Sequence, residues 1–198
     1  MSEERIVNGV NVDRLFGTIN AIKDTPGLAR FRFRARNRWV NGGHNRTTIT
    51  GFYGACQKHT LAEPLVLEAD EPAVMLGEGA EANPMDYVLT GLAACLTTSL
   101  VYHAAARGIQ LDEVESRLEG DLDLHGFLGL CESVRNGFEV VKVTIRIKAD
   151  VPDETLEELC RVAQKHSPVF DIISKPVPVS VHLENENRSM KPRSGSAA

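Results

Sequence analysis

The sequence predicts an α+β fold. Three observations carry that expectation. Strand-like segments lie between Ala29 and Ala69, a long small-sided helix pattern runs from Asn83 to Gly108, and the rest mixes alternating segments with two shorter helices. No regular strand–helix rhythm runs through the chain, which argues against a parallel sheet. A length of 198 residues suits one domain with a sizeable core.

The elements follow in order. Asn11 to Lys23 carries Val12, Leu15, Phe16, Ile19 and Ile22 at helical spacing, with Asn11 placed to cap. Asp24 to Gly27 is a turn. Ala29 to Trp39 alternates strictly, with Arg30, Arg32, Arg34, Arg36 and Arg38 on one face and Phe31, Phe33, Ala35 and Trp39 on the other. A period of two predicts a strand with one cationic face. Either that face is merely solvated, or one of its arginines enters a site or a subunit contact. Asn41-Gly42-Gly43 signals a hairpin, Arg46 to Tyr53 the return strand, Pro64 to Ala69 a short strand, and Asp70 to Ala82 a loop. Asn83 and Pro84 open the long helix and Gly108 closes it.

Leu111 to Asp123 and Phe138 to Ala149 alternate as strands; Leu124 to Gly137 has no clear pattern. Asp153 to His166 is an amphipathic helix with Leu156, Leu159, Cys160 and Ala163 inward and Asp153, Glu154, Glu157 and Glu158 on a solvated face. Ser167-Pro168 opens a short helix toward Ser174. Pro176 to Leu183 reads as a final strand, its prolines favouring an edge. Residues 186–198 are polar and small, and are expected to be disordered.

Composition excludes several classes. The net charge is −5 with 27 acidic against 22 basic residues, which argues against nucleic acid as the main partner. No apolar run reaches the roughly 18 residues of a membrane span, and MSEERIVNG lacks an apolar stretch with a small-residue cleavage site. A cytoplasmic protein without membrane association is therefore expected. The cysteines Cys56, Cys95, Cys131 and Cys160 form no CxxC pair, and the histidines show no metal spacing, so reduced thiols and no cofactor are expected.

Cys95 lies in the middle of the long helix. Val88, Leu89, Leu92, Leu96 and Ser99 share a broad face, while Gly91, Ala93, Ala94, Thr97 and Thr98 let another element approach closely. A buried cysteine can be a small hydrophobe. A reactive one needs a helix N-terminus or a cation. Cys95 is roughly 16 Å along the axis from Pro84, beyond the first turn where the helix dipole acts. A cation must come from elsewhere, and the arginine strand is the supply nearest to hand in the sequence.

The span from Ala69 to Ile109, ADEPAVMLGEGAEANPMDYVLTGLAACLTTSLVYHAAARGI, resembles the signature of the OsmC/Ohr family of hydroperoxide reductases. GDLDLHGFLG, GFEVVKVTIRIKADVP and HSPVFDIISKPVPV extend the resemblance, which covers roughly Phe31 to Leu183. It implies antiparallel sheets wrapped around two central helices in an intertwined homodimer, with sites at the dimer interface. It also implies a domain over residues 28–185, a helical extension over 1–27 and a tail over 186–198.

Cys95 matches the family's peroxidatic cysteine. In the family that thiolate attacks an organic hydroperoxide, becomes a sulfenic acid, and condenses with a second cysteine, assisted by an arginine and a glutamate. Arg38 is the first candidate for the arginine, with Arg36 and Arg46 behind it. Two positions depart from the pattern. Ser167 stands where the family's resolving cysteine precedes a proline, and Met85 stands where the glutamate follows Asn-Pro. Asp86 is the candidate substitute, although nine residues at about 100° each put it on the opposite helix face from Cys95.

Two functions follow. One is a one-cysteine reductase of organic hydroperoxides in oxidative stress defence, with Cys95 as nucleophile, Arg38 and Asp86 assisting, Ser167 unable to resolve, and an external thiol as reductant. The other is a non-peroxidase relative that binds a small apolar or thiol-reactive ligand at the dimer interface.

Overall fold

The computed structural model describes residues 4–184; the tail expected to be disordered, 186–198, lies outside them. Strands β1 (Ile6–Val7) and β2 (Val10–Asn11) form a small hairpin. Helix α1 (Val12–Asp24) starts where Asn11 Oδ1 accepts the backbone N–H of Arg14. Val12 is its buried residue, while Phe16 and Ile19 of its apolar stripe are exposed.

The arginine-rich segment is not one strand. After a 3-10 turn over Pro26–Ala29 it gives β3 (Arg32–Phe33) and β4 (Arg36–Asn41), interrupted at Arg34 and Ala35. Both pair antiparallel with the same edge of β5 (His44–Gly54), and β6 (Gln57–Ala69) pairs with its other edge. Strand β6 is far longer than the expected Pro64–Ala69. Its first half is polar, and only the ribbon pairing Gly51 through Gly54 with Thr60 through Gln57 keeps it extended. The β5–β6 turn puts Ala55 and Cys56 in left-handed conformations (φ 47° and 61°).

Helix α2 (Pro84–Ala106) is the spine of the protomer. Its start is a capping box: Asn83 Oδ1 accepts from Met85 N, and Asp86 Oδ2 accepts from Asn83 N. Its end is a Schellman motif, with Ile109 N donating to Ala104 O and Gly108 N to Ala105 O, and Gly108 at φ 72°. Leu92, Leu96, Leu100 and Ala104 recur every four residues and are buried.

That stripe packs on the buried Leu159 and Ala163 of α4 (Asp153–Lys165). The short α5 (Pro168–Ser174) and β7 (Glu113–Asp121) also lie against α2. β8 (Val140–Lys148) pairs with β7 over the whole length of both. Between them, α3 (Leu124–Phe127) is a single turn.

One further expectation is corrected. Pro176–Leu183 forms no strand among the described residues. Pro176 and Pro178 remove donors, and Val179, Val181 and Leu183 stay exposed. Helix α2 is long and apolar enough, by length and composition alone, to pass for a membrane span, a test that the core helix of a soluble protein also meets.

Candidate functional site

Cys95 sits midway along α2, half-buried. The exposed positions Thr90, Ala94, Thr98 and Tyr102 run along one side of the helix at four-residue spacing, and Gly91 and Cys95 flank them. The thiol therefore lies at the margin of a small-sided stripe that the protomer leaves open. Among the described residues Cys95 has no hydrogen-bond partner.

The other candidates are placed as follows. Arg38 is exposed on β4, directly across from Arg46. Arg46 is engaged, its Nε 2.5 Å from Glu68 Oε1, and His44 Nε2 lies 2.9 Å from Glu68 Oε2. The Arg46 hydrogen bond, with His44 beside it, holds the Glu68 carboxyl below its ordinary range. The sheet carrying Arg38 is not a main packing partner of α2, so the protomer does not bring Arg38 and Cys95 together. Asp86 spends its carboxylate on the capping box.

Ser167 is 1% exposed. Its Oγ accepts the backbone N–H of Phe170 at 3.2 Å and so caps α5. A Cβ built on Gly91 would meet Val169 Cγ1 at 4.0 Å, so the start of α5 rests on α2 one turn before Cys95. Of Arg38, Asp86 and Ser167, Ser167 is the one from another element that the fold carries toward the thiol's stretch of helix.

The remaining thiols differ. Cys160 is half-buried, and burial pushes its pKa up. Cys131 Sγ lies 3.1 Å from Ser133 Oγ, and that hydrogen bond holds its pKa down. Cys56 is exposed in the β5–β6 turn. Of the histidines, His103 and His166 pack with ring centroids 5.2 Å apart, and burial, His166 and Arg107 lower the His103 pKa. Among the described residues no group of three or more His, Cys, Asp or Glu is arranged to hold a metal.

Two features escaped the sequence. Asp70 is 3% exposed and accepts the backbone N–H groups of Glu71, Glu78 and Gly79, which lower its pKa and fold the loop before α2. The glycines of that loop were the available signal. The second is a groove of about 430 Å³ lined by Met85, Val88, Leu92, Phe138, Val141 and Phe170, with Arg135 and Glu139 also on its wall. Met85, Val88 and Leu92 share a helix face, and that spacing was legible; their partners on β8 and α5 were not.

A model of the family described as OsmC-like protein matches residues 77–182, more than half of the chain. The chain belongs to the OsmC-like family. Two solved structures with TM-scores above 0.5 share the fold. The OsmC-like protein of Mycoplasma pneumoniae is 13% identical, covers 73% of this chain and 89% of its own, and superposes with a TM-score of 0.56. A Psychrobacter arcticus protein, described as a candidate osmotic stress induced and detoxification response protein, is 16% identical over 69% of this chain and 85% of its own, with a TM-score of 0.52. An organic hydroperoxide resistance protein OsmC from Legionella pneumophila is 20% identical over 71% and 89%, with a TM-score of 0.48. No curated protein matches the sequence. Within the matched residues of this OsmC-like chain fall Met85, Asp86, Cys95 and Ser167; Arg38 lies before them.

Proposed function

We propose that this OsmC-like protein is a cytoplasmic thiol-dependent reductase of organic hydroperoxides that works as a homodimer and defends against oxidative stress. One observation carries the reading: the family's cysteine position is kept as Cys95, half-open on the stripe of α2 that the protomer leaves uncovered. Two features favour a dimer. The sheet exposes Phe33 (76%) and Trp39 (70%), and the alternating Val177, Val179, Val181 and Leu183 are exposed outside any strand. Burying such surface on a second copy is favourable at about 25 cal/mol per Å².

The chemistry balances with one protein thiol. The Cys95 thiolate attacks the outer peroxide oxygen, the O–O bond breaks, and the alkoxide takes a proton and leaves as an alcohol. Cys95 is then a sulfenic acid. Ser167 cannot condense with it, so a small external thiol forms a mixed disulfide and releases water. A second thiol molecule restores Cys95. Arg38, brought from the other protomer, would stabilise the thiolate and polarise the peroxide.

The test is intact mass with sulfenate trapping after one equivalent of an organic hydroperoxide. Rapid oxidation confined to Cys95, abolished in Cys95→Ser, supports the reading. Oxidation no faster at Cys95 than at Cys56 would sink it.

A second reading has its own observation. Met85, at the family's glutamate position, lines the apolar groove beside Phe138 and Phe170. That favours binding of a small apolar ligand without turnover. A rise in melting temperature with a fatty acid, in protein whose Cys95 stays reduced after peroxide, would select it.

A further inference from the structure

We propose that Arg30, Arg32, Arg34 and Tyr53 form a binding site for a polyphosphate group, on a different element from Cys95. These residues, with Ala29 and Phe31, line a concavity of about 690 Å³. Its size lies within the usual range of ligand pockets, roughly 300–1,000 Å³. Arg32 and Tyr53 are directly opposite in the β3–β5 register, so their side chains rise from the same face. Arg30 and Arg34 flank Arg32 two residues away on either side.

Charge is the argument for phosphate. All three arginines are exposed, and among the described residues none of them forms an ion pair; the paired arginines are Arg5, Arg46, Arg107, Arg117 and Arg146. Residues 30–46 hold six arginines and no acidic residue, which leaves 16 basic against 27 acidic residues in the rest of the chain. Arg30, Arg32 and Arg34 line one concavity with no acidic residue in their own segment. One carboxylate would answer one of them. A polyphosphate has the charge and the acceptor oxygens for all three, each in bidentate geometry, and the Tyr53 hydroxyl adds a donor.

Opposite this face, Phe31, Phe33 and Phe52 stack with centroids 5.7–6.2 Å apart. Phe31 and Phe33 on that side are 50% and 76% exposed and offer the apolar surface there, while Arg30, Arg32 and Arg34 are exposed to solutes.

The source of the group is either a free polyphosphate or a nucleotide. Calorimetry on the full chain with pyrophosphate, ATP and adenosine, at low and high salt, separates them. The expected result is one-to-one binding of pyrophosphate and ATP, none of adenosine, weakened by salt. Equal affinities assign free polyphosphate; tighter ATP assigns a nucleotide whose base meets Tyr53. Arg32→Ala should weaken binding about tenfold or more, with Arg32→Lys in between, while the melting temperature and the rate of Cys95 oxidation stay unchanged. The proposal is overturned if neither phosphate compound binds, if Arg32→Ala and Arg34→Ala bind as the parent does, or if only a long single-stranded oligonucleotide binds.

Discussion

Ser167 Oγ accepts the backbone N–H of Phe170 from a position that is 1% exposed. The residue proposed to leave Cys95 without a resolving partner is therefore also the cap of α5. Ser167→Ala would leave that N–H without its partner in a buried setting. A loss of about 1–2 kcal/mol follows from the cap alone. Urea unfolding measures it; an unchanged midpoint would remove the cap from the account.

The ring of Phe138 lies over Gly120, where an added Cβ would come within 2.5 Å of ring carbon Cε1. Gly120→Ala must push the ring away from β7 and reshape the apolar groove. The expected cost is about 1–3 kcal/mol, with a changed thermal response to apolar ligands. A variant as stable as the parent, with the same ligand response, would contradict this packing.

Thiol reactivity should rank in a stated order. The Ser133 hydrogen bond favours the Cys131 thiolate, whereas burial disfavours that of Cys160. Iodoacetamide at neutral pH should label Cys131 well before Cys160, because the thiolate is the nucleophile. Peptide mapping over time gives the answer, and equal rates would refute it.

Acid should weaken the fold in two windows. The folded pKa of His103 is lowered, so the folded state binds fewer protons there than the unfolded one. Stability is full above the ordinary value of 6.5 and falls as pH drops through it toward the lowered folded value. The groups facing His103, His166 and Arg107, both act to lower its pKa alongside burial, so all three causes have the same sign. Glu68 and Asp70 also have lowered values, so their contribution is present above the ordinary 4.5 and 3.8 and fades below them. Unfolding midpoints measured from pH 8 to pH 3 should fall in both ranges, and His103→Gln should flatten the first alone.

Local rules were enough for the ends of helices. Asn11, Asn83, Gly108 and Ser167 each act where cap chemistry puts them. Alternation was enough for β7 and β8, which lack only a residue or two at each end of the expected spans. It failed for β6, whose polar half takes its shape from β5, and for the β5–β6 turn, where Ala55 and Cys56 rather than glycine take positive φ. It failed for Pro176–Leu183, because an alternating pattern says that a face can be buried without saying what buries it. At the site, the sequence singled out Cys95 and Ser167. It could not see that Glu68 holds Arg46 and His44, since that depends on register across two strands.

The corner between β6 and α2 bears on how the chain folds. Tyr87 Oη donates to the backbone carbonyl of Glu68, Asn83 Nδ2 donates to Glu71, and Asp70 gathers the intervening loop. All of these ties join residues within 19 positions of each other. Closing such short loops costs little entropy, so the helix start can dock on the strand end before α4 and α5 exist to cover the helix. The order of assembly would then be written from the corner outward, with the β5–β6 ribbon and the first turns of α2 as an early unit and the more distant α4 contact arriving late.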